Sequence, residues 1–168
     1  MDRWEYLYTK SYSIRHHVAE YYLDDIDVVI DIGTYRKKIK TNKKLYCIDP
    51  LKTLEDTFHG SISDWYSAHS SELHDKKIAT VILGLHIEGE EKEFDCVVDL
   101  IKKSSVVVIE FSKQHTPSQH QFDTILSRTG LVVENEINFK MPVVETPGHP
   151  PFQDRTLYTL KEKNAISR

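Results

Sequence analysis

Short apolar runs alternate with longer segments in which apolar residues recur every three or four positions. Seven of the runs have the length expected of β-strands. The predicted strands are Val28–Ile32, Leu45–Ile48, Phe58–Trp65, Ile78–Ile87, Ser105–Phe111, Leu131–Phe139 and Arg155–Leu160. Several of them are almost continuously apolar, which is typical of strands covered on both faces. Phe58–Trp65 is the weakest of the seven because its inward positions include serine.

The segments between the strands follow the 3.6-residue period of amphipathic helices. An N-terminal helix is expected from Ile14 to Tyr22, a second over Trp65–Lys77, a third along the stripe from Phe94 to Ile101, and a fourth from the capping box Thr116-Pro117-Ser118-Gln119 to Gly130. The first crossover is short, because Asp31 and Asp49 are only 18 residues apart. At most one or two helical turns fit into Thr34–Lys40.

The order of these elements predicts an α/β fold with one domain spanning residues 1–168. Helices separate most of the strands, which favours parallel pairing. The last two strands are instead joined directly by a proline-rich loop, residues 141–154, and are therefore expected to pair antiparallel. The sequence thus predicts a mainly parallel sheet that ends in a C-terminal antiparallel strand pair.

Composition and charge narrow the classes of function. The chain has 168 residues, a net charge of −4 and two cysteines without metal-type spacing. No apolar run approaches the ~20 residues that cross a bilayer, and the first residues lack the plan of a signal peptide. These features predict a cytoplasmic protein. The negative charge argues against a general nucleic-acid binder.

Acidic residues stand at the ends of the first three predicted strands. Asp31-Ile32-Gly33 ends the first strand, Asp49 ends the second, and Asp64 lies near the end of the third. In open α/β sheets, ligands bind at these carboxyl ends, near the switch in strand order. A carboxylate there can accept hydrogen bonds from ribose hydroxyls or hold an amino group.

With the terminal strand pair, these motifs resemble the class I S-adenosylmethionine-dependent methyltransferases. The resemblance covers most of the chain and implies a Rossmann-like three-layer sandwich and S-adenosylmethionine as the cofactor. The cofactor-binding residues that it implies are Asp31, Gly33, Thr34, Tyr35, Asp49, Pro50, Ser63, Asp64 and Leu85. The sequence departs from the family at Tyr35, which stands where the second glycine of the cofactor loop is usual.

Several residues past the strand ends are candidates for chemistry on the acceptor. His86 follows the fourth strand and either acts as the base or simply packs there. Glu110 ends the fifth strand and is expected either to be paired or to face the cleft, since an unpaired buried carboxylate is costly; the cleft is preferred, with a catalytic role. His115, His120 and His149 are expected on the substrate side, where a shared metal site is the alternative to solvated histidines.

Two further patterns have a functional and a structural interpretation. The basic run from Arg36 to Lys44 could contact phosphate beside the cofactor, or it could form a solvated turn, which is preferred. Trp65 and Tyr66 could stack on adenine, or they could belong to the core.

The resemblance implies methyl transfer to a small-molecule or sugar-like acceptor. Two rivals remain open on the sequence: a catalytically inactive methyltransferase-like binding module, favoured by Tyr35 and the short crossover, and a nucleotide- or sugar-phosphate-binding enzyme of another Rossmann-like type. The terminal hairpin also offers a free strand edge through which two copies could pair as a homodimer.

Overall fold

A computed structural model describes residues 15–34, 38–50, 55–83, 91–112, 119–142 and 152–163. The strands are β1 (Val28–Ile32), β2 (Lys44–Ile48), β3 (Ile78–Ile82), β4 (Val106–Ser112), β5 (Leu131–Pro142) and β6 (Phe152–Glu162). The helices are α1 (residues 15–21), α2 (Ile62–His69), α3 (Glu91–Lys103) and α4 (Gln119–Thr129), with a 3₁₀ turn over Ser70–Leu73. No helix within these ranges is long and apolar enough to cross a membrane.

The six strands form one sheet in the order β2-β1-β3-β4-β6-β5. The first four are parallel to one another, and β6 lies antiparallel between β4 and β5. The predicted parallel sheet with a terminal antiparallel pair is therefore confirmed. The strand order reverses at β1, which has β2 on one side and β3 on the other, so a ligand crevice is expected at its carboxyl end.

Each face of the sheet has its own apolar cluster, because alternate side chains of a strand point to opposite faces. On one face, Ile30, Ile82 and Ile109 pack with residues of α2, α3 and α4. On the other face, Val29 and Val81 pack with α1. The chain therefore has three layers, with the sheet in the middle.

The predicted strand Phe58–Trp65 is wrong. Phe58 makes only an isolated parallel bridge to Ile48, and helix α2 begins at Ile62. The reason is local capping: Ser61 has extended backbone, and its side chain accepts a hydrogen bond of 3.0 Å from the backbone N–H of Asp64. This bond fixes the first turn of a helix where weak alternation had suggested a strand.

The crossover from β1 to β2 contains no helix over residues 38–43. Ile39 instead packs its side chain into the apolar cluster beneath α1 and is 3% exposed. A single buried isoleucine covers part of the sheet that a crossover helix would otherwise cover, which is consistent with the shortness of this segment.

Gly130 ends helix α4 with φ of +70°, a conformation in which only glycine is free of strain. We expect Gly130→Ala to lower the free energy of unfolding by about 1 kcal/mol, through backbone strain alone, because a Cβ at this position would meet no atom within 4 Å. Urea unfolding measures the change. Gly130→Asn is the matched variant, and it should lose less because asparagine tolerates this conformation better. Equal losses in both variants would contradict strain as the cause.

Candidate functional site

Asp31, the penultimate residue of β1, is fully buried at the reversal of strand order. Neither of its carboxylate oxygens makes a hydrogen bond of normal geometry within the described residues, although the hydroxyl of Thr34 and the backbone N–H of Ile39 lie close enough to lower its pKa. Buried polar groups in proteins are almost always paired, and an unpaired carboxylate costs several kcal/mol if it is ionised. A buried acid at the ligand edge of an α/β sheet is therefore a candidate to bind a ligand.

Burial raises the pKa of Asp31 to about 7. The hydroxyl of Thr34, the positive charge of Arg15 and the N–H of Ile39 lower this pKa in part, and the negative charge of Asp49 raises it. Asp31 is therefore close to half-protonated at neutral pH. Its carboxyl group can either hold a proton or, when ionised, bind a cationic ligand.

Gly33 and Thr34 form the turn that follows Asp31. Gly33 has φ of +76°, which explains glycine at this position, and its N–H donates to the carbonyl oxygen of Ile48 at 2.8 Å. Thr34 is buried, and its hydroxyl donates to the backbone carbonyl of Asp31 at 3.1 Å. The bond to Ile48 holds the end of β1 against β2, and the bond from Thr34 stabilises the turn itself. The predicted contacts of both residues with a cofactor remain predictions.

Asp49 follows β2 directly and lies on the same face of the sheet as Asp31. It is 4% exposed, and its backbone N–H donates to the carbonyl oxygen of Phe58 at 3.1 Å. The following residue, Pro50, is exposed. The end of β2 thus places one buried carboxyl group next to that of Asp31, as the sequence predicted from the strand ends.

Ser63 and Asp64 do not lie at the tip of a third strand, as the sequence suggested, but in the first turn of α2. Ser63 is buried and bonded through its hydroxyl and its N–H to the carboxylate of Glu93 on α3. Glu93 also accepts a hydrogen bond of 2.7 Å from the N–H of Ile62. Asp64 is exposed. Any cofactor contact by these two residues must therefore come from a helix N-terminus.

Sequence reasoning missed the role of Glu93. It is 8% exposed and accepts hydrogen bonds from the free N–H groups at the start of a neighbouring helix. Because the partners lie about 30 positions away along the chain, no local sequence signal indicates this contact.

Glu110 is paired with two arginines. The sequence analysis preferred a position facing the cleft, and that preference is wrong. One of its oxygens accepts from Arg15 of α1, and the other accepts from Arg155 of β6 at 2.9 Å. Arg15 also donates to the carbonyl oxygen of Leu83 at 3.0 Å. This buried bridge ties α1 to the ends of β3, β4 and β6. A catalytic role for Glu110 remains a prediction.

The remaining predicted site residues are mostly outside the described ranges. These are Tyr35, Leu85, His86, His115 and His149. His120 is described; it is exposed in the first turn of α4. Within the described part of the chain, no three histidine, cysteine, aspartate or glutamate side chains come together as metal ligands.

Much of the basic run that precedes β2 binds within the chain. Lys38 donates to the carbonyl oxygen of Glu55 at 2.5 Å, and Lys43 donates to that of Asp24 at 3.0 Å. Lys44 pairs with Glu72 at 2.6 Å. Within the described part of the run, these contacts engage Lys38, Lys43 and Lys44 inside the chain.

Trp65 and Tyr66 were expected either to stack on adenine or to belong to the core. Trp65 is 1% exposed in the core, with Tyr66 packed against the same apolar cluster. The core interpretation of this pair is therefore confirmed.

A cavity of about 310 Å³ lies on the hairpin side of the sheet, lined by Asn138, Phe139, Lys140, Asp154 and Arg155. Arg155 is in register with Ser112, the last residue of β4, so the cavity lies at the carboxyl ends of the parallel strands. The predicted substrate-side loop connects the two strands that line it.

The sheet resembles those of several solved structures. A provisionally assigned RNA methyltransferase from Pyrococcus horikoshii matches with a TM-score of 0.59 and 13% identity, over 90% of this chain and 83% of its own. A TehB-like S-adenosylmethionine-dependent methyltransferase from Corynebacterium glutamicum matches with a TM-score of 0.55 and 14% identity, over 93% and 96%. A third such methyltransferase, from Anabaena variabilis, has a TM-score of 0.54 and 9% identity, over 95% and 87%.

No protein-family model matches the chain, and no curated protein sequence matches it. The likeness lies in the structure: a parallel sheet that reverses its order at β1, helices on both faces, and an antiparallel terminal pair. On these grounds, the chain has the fold of the class I S-adenosylmethionine-dependent methyltransferases.

Proposed function

We propose that this protein is an S-adenosylmethionine-dependent methyltransferase whose cofactor lies at the carboxyl ends of β1 and β2. The observation that carries the proposal is the buried, unpartnered carboxyl group of Asp31 at the reversal of strand order. Such a group needs a cationic or hydrogen-bonding partner, and the α-ammonium group of the cofactor is both.

The residues around Asp31 fit the cofactor. Asp49 offers a second buried carboxylate that can accept from ribose hydroxyls, and Gly33 leaves the turn between them without a side chain. S-adenosylmethionine supplies a methyl group on a sulfonium centre. The protein's part is to bind the amino acid and ribose ends, to orient the methyl group, and to bring the acceptor into line with it.

The acceptor is proposed to be a small or sugar-like molecule. The cavity beside the hairpin, about 310 Å³, is near the lower end of the size range of small-molecule sites, which is roughly 300–1,000 Å³. Its lining is mainly apolar, and Lys140, Asp154 and Asn138 supply the polar groups that would bond a hydroxylated ligand. His86, as the base that takes the acceptor's proton, remains part of this proposal.

Calorimetry with S-adenosylmethionine and S-adenosylhomocysteine tests the cofactor site. We expect Asp49→Ala to weaken the binding of both by about 10–100-fold, because a charged hydrogen bond contributes about 1.5–3 kcal/mol. Asp99→Ala, which removes an exposed carboxylate from α3, is the matched control and should leave binding unchanged. Absence of binding by the wild-type protein at millimolar ligand would refute the proposed function. Equal binding by Asp49→Ala would refute the placement of the ribose.

A second candidate is a binding module that has lost methyl transfer. It is favoured by the crossover without helix over residues 38–43, and by Glu93, which occupies the N-terminus of α2. If S-adenosylmethionine binds but is not converted to S-adenosylhomocysteine with any of a panel of alcohols, amines and sugars, the result favours the binding module over the methyltransferase.

A further inference from the structure

A negative charge on Asp31 is unfavourable in the ligand-free protein. The side chain is fully buried, and its two oxygens have no partner in the described structure. Ionisation at such a position is disfavoured by the loss of hydration. In the absence of a ligand, the least costly state of this carboxyl group at mildly acidic pH is therefore the protonated one.

The groups that face Asp31 from the surrounding elements do not neutralise it. From α1 comes Arg15, and from β2 come Cys47, which is in register with Asp31, and Asp49. The register partner in β3 is the apolar Val81. Burial raises the pKa of Cys47, and the charge of Asp31 raises it further, which keeps the thiol neutral.

The one arginine near Asp31 also serves another acid. Arg15 donates to Glu110, which in turn accepts from Arg155. Within the described ranges this buried cluster holds three acids (Asp31, Asp49, Glu110) and two arginines. When all three acids are ionised, these five groups by themselves carry one more negative charge than positive. Lys38 is a further cation in the neighbourhood, because its charge acts on Cys47, the register partner of Asp31. His16 of α1 is also buried.

We propose that the cationic group of a bound ligand displaces the proton of Asp31, so that cofactor binding at this site releases a proton to the solvent. This inference rests on the proposed function, because the α-ammonium group of the cofactor is the cation. The O–H bond of Asp31 breaks, its electron pair stays on the carboxylate, and the proton passes to the buffer. Binding strengthens with rising pH as long as the ligand's amino group stays protonated.

Proton release can be measured by calorimetry in buffers of different ionisation enthalpy. Near pH 6, an α-amino group is still protonated, and a carboxyl group titrating near 7 holds most of its proton. We expect S-adenosylhomocysteine to release about 0.9 proton on binding near pH 6, and its Kd to fall about tenfold from pH 5 to pH 6. The ligand 5′-methylthioadenosine lacks the amino acid group and should release none.

Asp31→Asn gives the matched variant, because asparagine has the same shape and cannot ionise. With this variant, S-adenosylhomocysteine should bind without releasing a proton, and circular dichroism checks that the variant is folded. Binding of S-adenosylhomocysteine to the wild-type protein with no proton release, or equal release with 5′-methylthioadenosine, would overturn the inference while leaving the proposed function intact. If neither nucleoside binds, the proposed function itself fails.

Discussion

Replacing Glu110 with leucine is expected to lower the free energy of unfolding by about 3–5 kcal/mol. The carboxylate is 4% exposed and joins Arg15 of α1 to Arg155 of β6. Its removal leaves two guanidinium groups facing each other in a poorly hydrated place, which is far more costly than losing a hydrogen bond at the surface. Urea unfolding followed by circular dichroism measures the loss, provided that the slope against denaturant stays unchanged.

Two further variants separate the charge effect from packing. Asp95→Ala removes an ion pair of 2.7 Å with Arg128 in which both side chains are about half exposed, and it should cost no more than about 1 kcal/mol. Replacing Arg15, Glu110 and Arg155 together by Met, Leu and Met should recover part of the loss, because both guanidinium groups leave with the carboxylate that joins them, while Asp31 loses the nearby charge of Arg15. If Glu110→Leu costs no more than Asp95→Ala, the bridge contributes little to stability.

The elements that the sequence predicted well are those whose signal is local. The stripe of Val97, Val98 and Ile101 is buried as its spacing predicted, and Gly130 ends α4. The strand predicted at Phe58–Trp65 is wrong for a reason that is also local. Ser61, three positions before Asp64, caps a helix, and this signal outweighs the weak alternation of apolar and polar residues. A closer comparison of these two signals would have predicted the helix.

The position of a site residue could be predicted from the strand ends, but its partners could not. The strand-end rule placed Asp31 and Asp49 together correctly, because parallel strands bring their carboxyl ends to one edge. The rule does not indicate whether an acid there has a partner. Glu110 is paired across 95 positions with Arg15, and Asp31 has no partner in the described structure. Both acids interrupt an apolar strand in the same way, so only the three-dimensional arrangement separates a structural carboxylate from one available to a ligand.

The free energy of unfolding of the ligand-free protein should fall as the pH rises from about 4 to about 8, through Asp31 alone by about 4 kcal/mol. The pKa of this carboxyl group is raised from 3.8 to about 7 by burial in the folded state. The folded state therefore holds the proton more tightly than the unfolded chain does. The resulting stabilisation is fully present below pH 3.8 and is lost as the pH rises through about 7.

Asp31→Asn isolates this contribution, because its buried amide adds a cost that does not depend on pH. The variant's free energy of unfolding, minus that of the wild-type protein, should increase by about 4 kcal/mol between pH 4 and pH 8 and then level off. Asp25→Asn is a control whose pH dependence has the opposite sign. Lys77 lowers the pKa of Asp25 in the folded state. The stabilisation from Asp25 is therefore present above pH 3.8 and is lost only in stronger acid. Parallel curves for Asp31→Asn and the wild-type protein from pH 4 to pH 8 would show that Asp31 does not change its ionisation there. Such a result would mean that the carboxyl group is already ionised and balanced without a ligand, which would remove the reason for placing a cation beside it.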